Sequence, residues 1–216
     1  MGITQARFWR RIYLIICLLL GAVTPLVCWY MIPDFNPIEK PLSYFGVVAH
    51  TSFIWNATLL VLAVGIYLNA QASFKAYFRK RRYRRFLRVL LWAAVCFLFL
   101  TAIVDMEHSL IHKLSAALFF STYNFFVFCF GLLRSLKYVR KGLFSVVIGS
   151  LMLLSSLLLL PFPSYGVFEI AYLSLILYWN SILLYNRVER ENRLFSTHQK
   201  EANSVGDNVG AWSLFD

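Results

Sequence analysis

Six runs of apolar residues constrain the fold of this chain more than any other feature of its sequence. A helix needs about 20 apolar residues to cross the ~30 Å hydrocarbon core of a bilayer. Hydrocarbon offers no water to backbone N–H and C=O groups, so only helices and closed barrels span it, and these runs lack the apolar–polar alternation of barrel strands. The sequence therefore predicts an all-α, polytopic membrane protein, a six-transmembrane-helix bundle. The predicted spans are residues 12–32, 47–68, 88–105, 113–133, 143–161 and 166–185.

The amino-acid composition agrees with a membrane as the solvent. Hydrophobic residues make up 60% of the chain and charged residues 14%. A soluble domain has about 45–50% apolar and about 25% charged residues. A surface that faces water cannot accommodate this excess of apolar side chains, which excludes an ordinary soluble domain.

The positive charges gather on one side of the predicted membrane. With six spans, one side of the membrane holds four segments: the N-terminal segment with three Lys or Arg residues, the second loop with eight, the fourth loop with four and the C-terminal tail with four. Only Lys40 and Lys113 fall on the other side. Because Lys and Arg mark the cytoplasmic side, both termini are predicted to be cytoplasmic. The net charge of +11 therefore reports topology, and no nucleic acid is expected as a partner.

The predicted domain organisation is simple. Residues 1–190 form the six-helix transmembrane domain. The segment 191–216 is rich in Asn, Ser, Gly and Asp, a composition that buries too little apolar surface to fold alone. It is predicted to be a polar, disordered cytoplasmic tail.

The second loop is the most basic part of the chain. Basic residues beside a membrane attract anionic lipid headgroups, and Phe74, Tyr77 and Phe78 share one helical face among them. The loop is thus a candidate for contact with anionic lipid headgroups at the cytoplasmic face or with a protein partner. The alternative is a simple topology anchor. The candidate headgroup contacts are Lys75, Arg79, Lys80, Arg81, Arg82, Arg84 and Arg85.

A second candidate site collects titratable residues at the outer ends of the predicted helices. Asp105, His108 and His112 are spaced i, i+3 and i+7, which places them on one face of a continuous helix. Imidazole and carboxylate groups bind zinc and leave an open position for water. A zinc site on His50, His108 and His112 is one interpretation, although no HExxH motif is present; a structural polar cluster and another kind of binding site are the alternatives. The candidate cluster is His50, Asp105, His108, His112 and Glu169.

Some polar residues fall inside the apolar runs. Such side chains hydrogen-bond between helices, because lipid cannot satisfy them. This is predicted for Asn56, Ser121, Thr122, Asn124 and Asn180.

Two short segments carry a family resemblance. Residues 36–46 contain Asn36-Pro37 followed by Pro41, Ser43 and Gly46, and residues 112–120 begin with His112. These segments resemble the "NP…P.S..G" opening and the "H…A..F" start of the fourth helix in bacterial six-helix membrane proteins of the domain of unknown function 998 group. The DRAM/FRAG/Sfk families share the pattern. Over about residues 10–190, the resemblance implies a six-helix bundle in a bacterial inner membrane; it supplies no catalytic residue, and the eukaryotic relatives are associated with lipid regulation and membrane trafficking.

Three classes of function follow from these observations. The basic loop and the absence of a strong catalytic motif favour a non-enzymatic membrane protein that binds lipid or a partner. A metal-dependent hydrolase acting on a lipid at the outer face is the alternative, with His50, His108 and His112 holding the metal. A small transporter is the third. The sequence does not decide whether the chain is an enzyme or which residues would be catalytic.

Overall fold

The computed structural model of the chain describes residues 3–104, 109–158 and 165–212, and within these ranges it is helical, with no strand. The predicted all-α fold is confirmed. A short 3-10 helix, Leu42–Gly46, lies in the connection between the first two long helices. The long helices are α1 Ile3–Met31, α2 Ala49–Tyr77, α3 Arg81–Ile103, α4 Ser109–Ser135, α5 Val139–Leu158 and α6 Tyr165–Trp212.

Each of the six long helices contains a stretch long and apolar enough to cross a membrane. Large apolar side chains cover the outside of the bundle, and Phe53, Leu110 and Ile103 are 82%, 78% and 68% exposed. A soluble protein rarely exposes so much contiguous apolar surface. The chain is therefore a multi-pass membrane protein, as predicted. The stretches are Phe8–Met31, Ala49–Tyr77, Arg81–Ile103, Leu110–Ser135, Val139–Leu157 and Gly166–Asn192.

Several helices extend beyond the predicted spans: α1 begins at Ile3 and α2 ends at Tyr77. Helix α3 begins at Arg81, so that most of the basic second loop is helical and only residues 78–80 connect α2 to α3. Arg is a good helix former, and its long side chain can reach water from inside a helix. Helix α6 continues to Trp212, through the segment for which composition predicts disorder.

The bundle core is rich in aromatic side chains. Trp179 of α6 packs with its ring centroid 5.9 Å from Phe126 and 5.5 Å from Phe130, both on α4. Tyr123 lies one turn before Phe126 in α4, and its ring is 6.3 Å from Trp179. All four side chains are at most 1% exposed, so α4 and α6 meet at the centre of the bundle.

Helices α4 and α5 approach each other closely. A Cβ atom at Gly131 of α4 would lie 2.5 Å from the backbone N of Val146, and one at Gly149 of α5 would lie 2.8 Å from the backbone N of Phe128. Small residues at a membrane helix interface allow backbones to approach and gain van der Waals contact. Glycine is therefore required for the α4–α5 contact.

Polar side chains inside the bundle join several helices. Asn180 of α6 accepts a hydrogen bond at 3.2 Å from Asn69 of α2 and donates one at 2.8 Å to Tyr123 of α4. Asn124 of α4 accepts a 2.7 Å hydrogen bond from Tyr172 of α6. The prediction of interhelical hydrogen bonds is confirmed for Asn124 and Asn180.

The same prediction is wrong for Ser121, which donates to the carbonyl of Ala117 in its own helix. A serine hydroxyl reaches the carbonyl four residues earlier without any neighbouring helix. Asn56 and Thr122 make no interhelical hydrogen bond to any residue that the structure describes.

The charged residues gather at one end of the bundle, here called the basic end. Arg11 of α1 donates a 2.6 Å hydrogen bond to Glu191 of α6. Arg190 of α6 donates to the backbone carbonyl of Ala76, near the end of α2. The start of α1, the end of α2 and the polar part of α6 therefore lie together. The opposite end, here called the loop end, holds the α1–α2 connection.

Candidate functional site

The predicted polar cluster falls at the loop end. His112 donates from Nδ1 to the carbonyl of Val104 at 2.9 Å, since a carbonyl can only accept. Its Nε2 is buried and has no partner among the described residues. His50 is exposed, with its Nε2 3.3 Å from the carbonyl oxygen of Met31. The two imidazoles are thus each bonded to a different stretch of backbone.

Part of the predicted cluster cannot be placed. Asp105 and His108 lie outside the described residues. Within residues 3–104, 109–158 and 165–212, no group of three or more His, Cys, Asp or Glu side chains could hold a metal ion. The zinc site on His50, His108 and His112 stays a prediction.

Glu169, the last member of the cluster, has a structural partner. Its carboxylate accepts hydrogen bonds from the backbone N–H groups of Leu42, at 2.5 Å, and of Ser43. These N–H groups belong to the first turn of the 3-10 helix and have no partner inside it. The carboxylate therefore binds the α1–α2 connection to the start of α6 through these hydrogen bonds.

A second contact supports the same attachment. The N–H of Val167 donates to the carbonyl of Pro37 at 3.2 Å. A Cβ atom at Gly166 would lie 2.4 Å from the carbonyl oxygen of Lys40, so only glycine lets the connection pass this close. The connection thus packs against the start of α6 at the loop end of the bundle.

The predicted headgroup contacts lie at the basic end, mostly on the surface. Arg84 is half-buried, and the other six side chains are exposed. None of the seven forms an ion pair with an acidic side chain that the structure describes. The start of α3 and the end of α2 therefore form one surface of unbalanced positive charge, here called the basic surface: Lys75, Arg79, Lys80, Arg81, Arg82, Arg84 and Arg85.

A groove of about 430 Å³ runs beside the basic surface, between α3 and α4. Arg82 and Tyr83 stand at the start of α3, and the guanidinium of Arg82 lies 5.2 Å from the Tyr83 ring centre. The remaining walls are apolar or weakly polar. The groove residues are Arg82, Tyr83, Phe86, Cys129, Leu132 and Leu133.

The structure also contains two buried arginines that sequence reasoning counted only as topological charges. Arg134 of α4 and Arg187 of α6 are 3% and 2% exposed. A signal for their burial is present in the sequence, because each extends the buried stripe of its helix. Arg134 follows Phe130 by four residues, and Arg187 follows Leu183 by four.

The fold defines the chain as a six-helix, multi-pass membrane protein with a basic end and a loop end. Residues 15–185 match the family described as "Protein of unknown function (DUF998)". The chain belongs to this family, which confirms the resemblance seen in the sequence. It has no significant match among curated proteins or among solved structures. The relation to the DRAM/FRAG/Sfk families stays a prediction.

Proposed function

We propose that this protein is a non-catalytic membrane protein whose basic end binds anionic lipid headgroups. The observation that carries the proposal is the α3–α4 groove, which places apolar walls beside Arg82, a side chain with no ion pair to any described acidic residue. A diacyl lipid has the same arrangement of a hydrocarbon chain below a charged headgroup. An acyl chain in the groove would bring its phosphate to the start of α3.

The groove walls suit an acyl chain. Phe86 and Leu132 are each 45% exposed, so both present apolar surface to the surrounding lipid. Burial of apolar surface alone gives little selectivity among lipids, because every diacyl lipid has such chains. Selectivity therefore has to come from the headgroup contacts.

The basic surface supplies those contacts. A basic residue near an anionic membrane surface contributes about 1 kcal/mol of attraction. Arg82 and its neighbours have no described carboxylate to compete with the lipid phosphate. Guanidinium groups also bind phosphate oxygens through paired hydrogen bonds. The expected ligand is an anionic phospholipid, in preference to a zwitterionic one.

The proposal includes an orientation. The basic end faces the cytoplasm if the positive-inside rule holds for this chain, and the bound lipid then belongs to the cytoplasmic leaflet. A bacterial inner membrane, rich in anionic phospholipid, is the proposed location. No described contact favours the hydrolase or the transporter, and both stay predictions of the sequence, as does a protein partner.

Native mass spectrometry of the purified chain in neutral detergent tests the proposal. Phosphatidylglycerol and phosphatidylcholine with the same acyl chains are titrated separately. We expect the wild-type chain to retain more phosphatidylglycerol. The double substitution Arg82→Gln/Arg85→Gln should weaken phosphatidylglycerol binding by up to about thirtyfold, because two contributions of about 1 kcal/mol are lost.

A charge-matched control separates the groove from net charge. Lys137→Gln/Arg140→Gln removes two exposed charges at the same end, after α4, from residues that do not line the groove. It should leave phosphatidylglycerol binding nearly unchanged. Equal retention of the two lipids by the wild-type chain would overturn the proposal, and so would equal losses in the two double variants.

A further inference from the structure

We propose that Arg134, Arg187 and Tyr77 form an interior binding site for one phosphate group. The site lies inside the basic end, where side chains from α2, α4 and α6 meet. It is separate from the basic surface and from the α3–α4 groove. It does not rest on the proposed lipid binding, because a soluble phosphate could occupy it equally well.

Unpartnered donors are the first observation. Arg134 and Arg187 are almost completely buried, yet Nε and Nη2 of Arg134 and all three guanidinium nitrogens of Arg187 have no hydrogen-bond partner among the described residues. A buried guanidinium without hydrogen bonds is strongly unfavourable. Native proteins normally satisfy such groups, so an anion that accepts these bonds is the natural complement.

The local carboxylates do not balance these charges. Glu191 lies 3.9 Å from Nε of Arg187, but it forms its 2.6 Å contact with Arg11 and also lies 3.9 Å from Arg10. One carboxylate is therefore shared by three guanidinium groups. Arg134 has no ion pair with any acidic side chain that the structure describes. The interior of the basic end keeps an excess of positive charge.

Tyr77 brings the two arginines into one site. The guanidinium of Arg134 lies 4.0 Å from the Tyr77 ring centre, and that of Arg190 lies 5.9 Å from it. The Tyr77 hydroxyl is buried without a partner among the described residues, and Arg187 lies one helical turn before Arg190 on α6. It can donate one further hydrogen bond to an anion held by the arginines.

The geometry favours a phosphate group over a carboxylate. The unpartnered donors come from three helices, and a phosphate offers several acceptor oxygens that point in different directions. Arginine is the residue best suited to this contact, because its planar fork binds two oxygens at once. The phosphate could belong to a lipid headgroup or to a free anion, and the two sources are distinguished by experiment.

The test uses the full chain carrying Arg82→Gln/Arg85→Gln, purified in neutral detergent, so that lipid bound at the basic surface adds little phosphorus and little stabilisation. Bound phosphorus is measured after digestion, and thermal unfolding is followed by tryptophan fluorescence. The added probes are inorganic phosphate, dihexanoyl phosphatidate and dihexanoyl phosphatidylcholine, with chloride at matched ionic strength. We expect either about one phosphorus per chain on purification or a saturable rise in Tm with inorganic phosphate or phosphatidate, because a ligand that binds only the folded state stabilises it.

The probes also assign the source. A rise with inorganic phosphate indicates a free anion, and a rise with phosphatidate alone indicates a lipid headgroup. The proposal is overturned if the purified chain carries no phosphorus and neither probe raises Tm more than chloride or phosphatidylcholine does.

Variants locate the site. Arg134→Gln and Arg187→Gln should abolish the bound phosphorus or the rise in Tm, whereas Arg140→Gln, at an exposed position of the same end, should preserve it. If the arginine variants do not fold, Tyr77→Phe tests the site instead, because it keeps the aromatic ring and removes only the hydroxyl that would bind phosphate. It should weaken phosphate affinity about tenfold. Unchanged affinity in Tyr77→Phe, or in an arginine variant that folds, would contradict the site.

Discussion

The carboxylate of Glu169 accepts a hydrogen bond at 2.5 Å from the backbone N–H of Leu42, which lies 127 residues earlier in the chain. This contact joins the first turn of α6 to the connection between α1 and α2. The sequence groups Glu169 with a candidate metal-binding cluster. In the structure, its carboxylate instead stabilises the α1–α2 connection at the loop end.

Loss of this carboxylate should destabilise the loop end. Glu169→Ala leaves the N–H groups of Leu42 and Ser43 without their acceptor, and a buried donor left unsatisfied costs about 1–3 kcal/mol. We expect a lower Tm in detergent, and a smaller fall for Glu169→Gln, whose amide oxygen can still accept. Glu39→Gln, on the exposed part of the same connection, is the control and should change Tm little. If Glu169→Ala and the control have equal Tm values, the hydrogen bonds of Glu169 do not stabilise the loop end.

The interior hydrogen bonds of Asn180 should stabilise the assembled bundle. Asn180→Leu has a similar volume but removes the 2.8 Å donor to Tyr123 of α4 and the 3.2 Å acceptor for Asn69 of α2, which keeps only its 2.9 Å bond to the backbone carbonyl of residue 180. Interhelical hydrogen bonds in membranes contribute about 0.6–1.7 kcal/mol each, so the free energy of unfolding should fall by about 1–3 kcal/mol. The measurement is unfolding by denaturant in mixed micelles.

A neighbouring position provides the control for Asn180. Ser181 is exposed, and its hydroxyl donates only to the carbonyl of Leu177 in the same helix. Ser181→Ala should therefore be nearly neutral. Equal effects at positions 180 and 181 would mean that the interhelical bonds contribute no net stability.

Two glycines of similar crowding should respond differently to alanine. At Gly131 the added Cβ meets the backbone N of Val146 at 2.5 Å, and a backbone atom in a packed helix cannot move aside. Gly131→Ala should reduce the free energy of unfolding by about 1–3 kcal/mol, as overpacking does. At Gly21 the nearest atoms, at 2.8 Å and 2.9 Å, are the ends of the Leu62 and Leu177 side chains, which can rotate. Gly21→Ala should therefore reduce the free energy of unfolding by less than Gly131→Ala does. A larger loss for Gly21→Ala would contradict the close packing of α4 against α5.

The orientation in the membrane is open to direct labelling. In a background without the native cysteines, Ile38→Cys places a thiol on an exposed position of the loop end, and Leu136→Cys places one at the basic end. Because the positive charges predict that the basic end is cytoplasmic, a membrane-impermeant maleimide should label position 38 in intact cells. Position 136 should react only after the cells are permeabilised. The opposite pattern would reverse the predicted topology.

The sequence by itself determined the number of spans, the helical fold and the gathering of positive charge at alternate connections. These features depend on local composition, because a run of apolar residues meets the same hydrocarbon wherever its neighbours lie. The interhelical bonding of Asn124 and Asn180 was predictable for the same reason. A polar side chain in the middle of a span has few partners other than another helix.

Only the tertiary structure decided which side chains meet. The partner of Glu169 is a backbone segment from the opposite half of the chain, and no local pattern records that separation. Likewise, Arg134 and Arg187 resemble every other positive residue near a helix end until α2, α4 and α6 pack together. Burial depends on the atoms that surround a side chain in space, so the unpartnered guanidinium groups exist only once the helices are assembled.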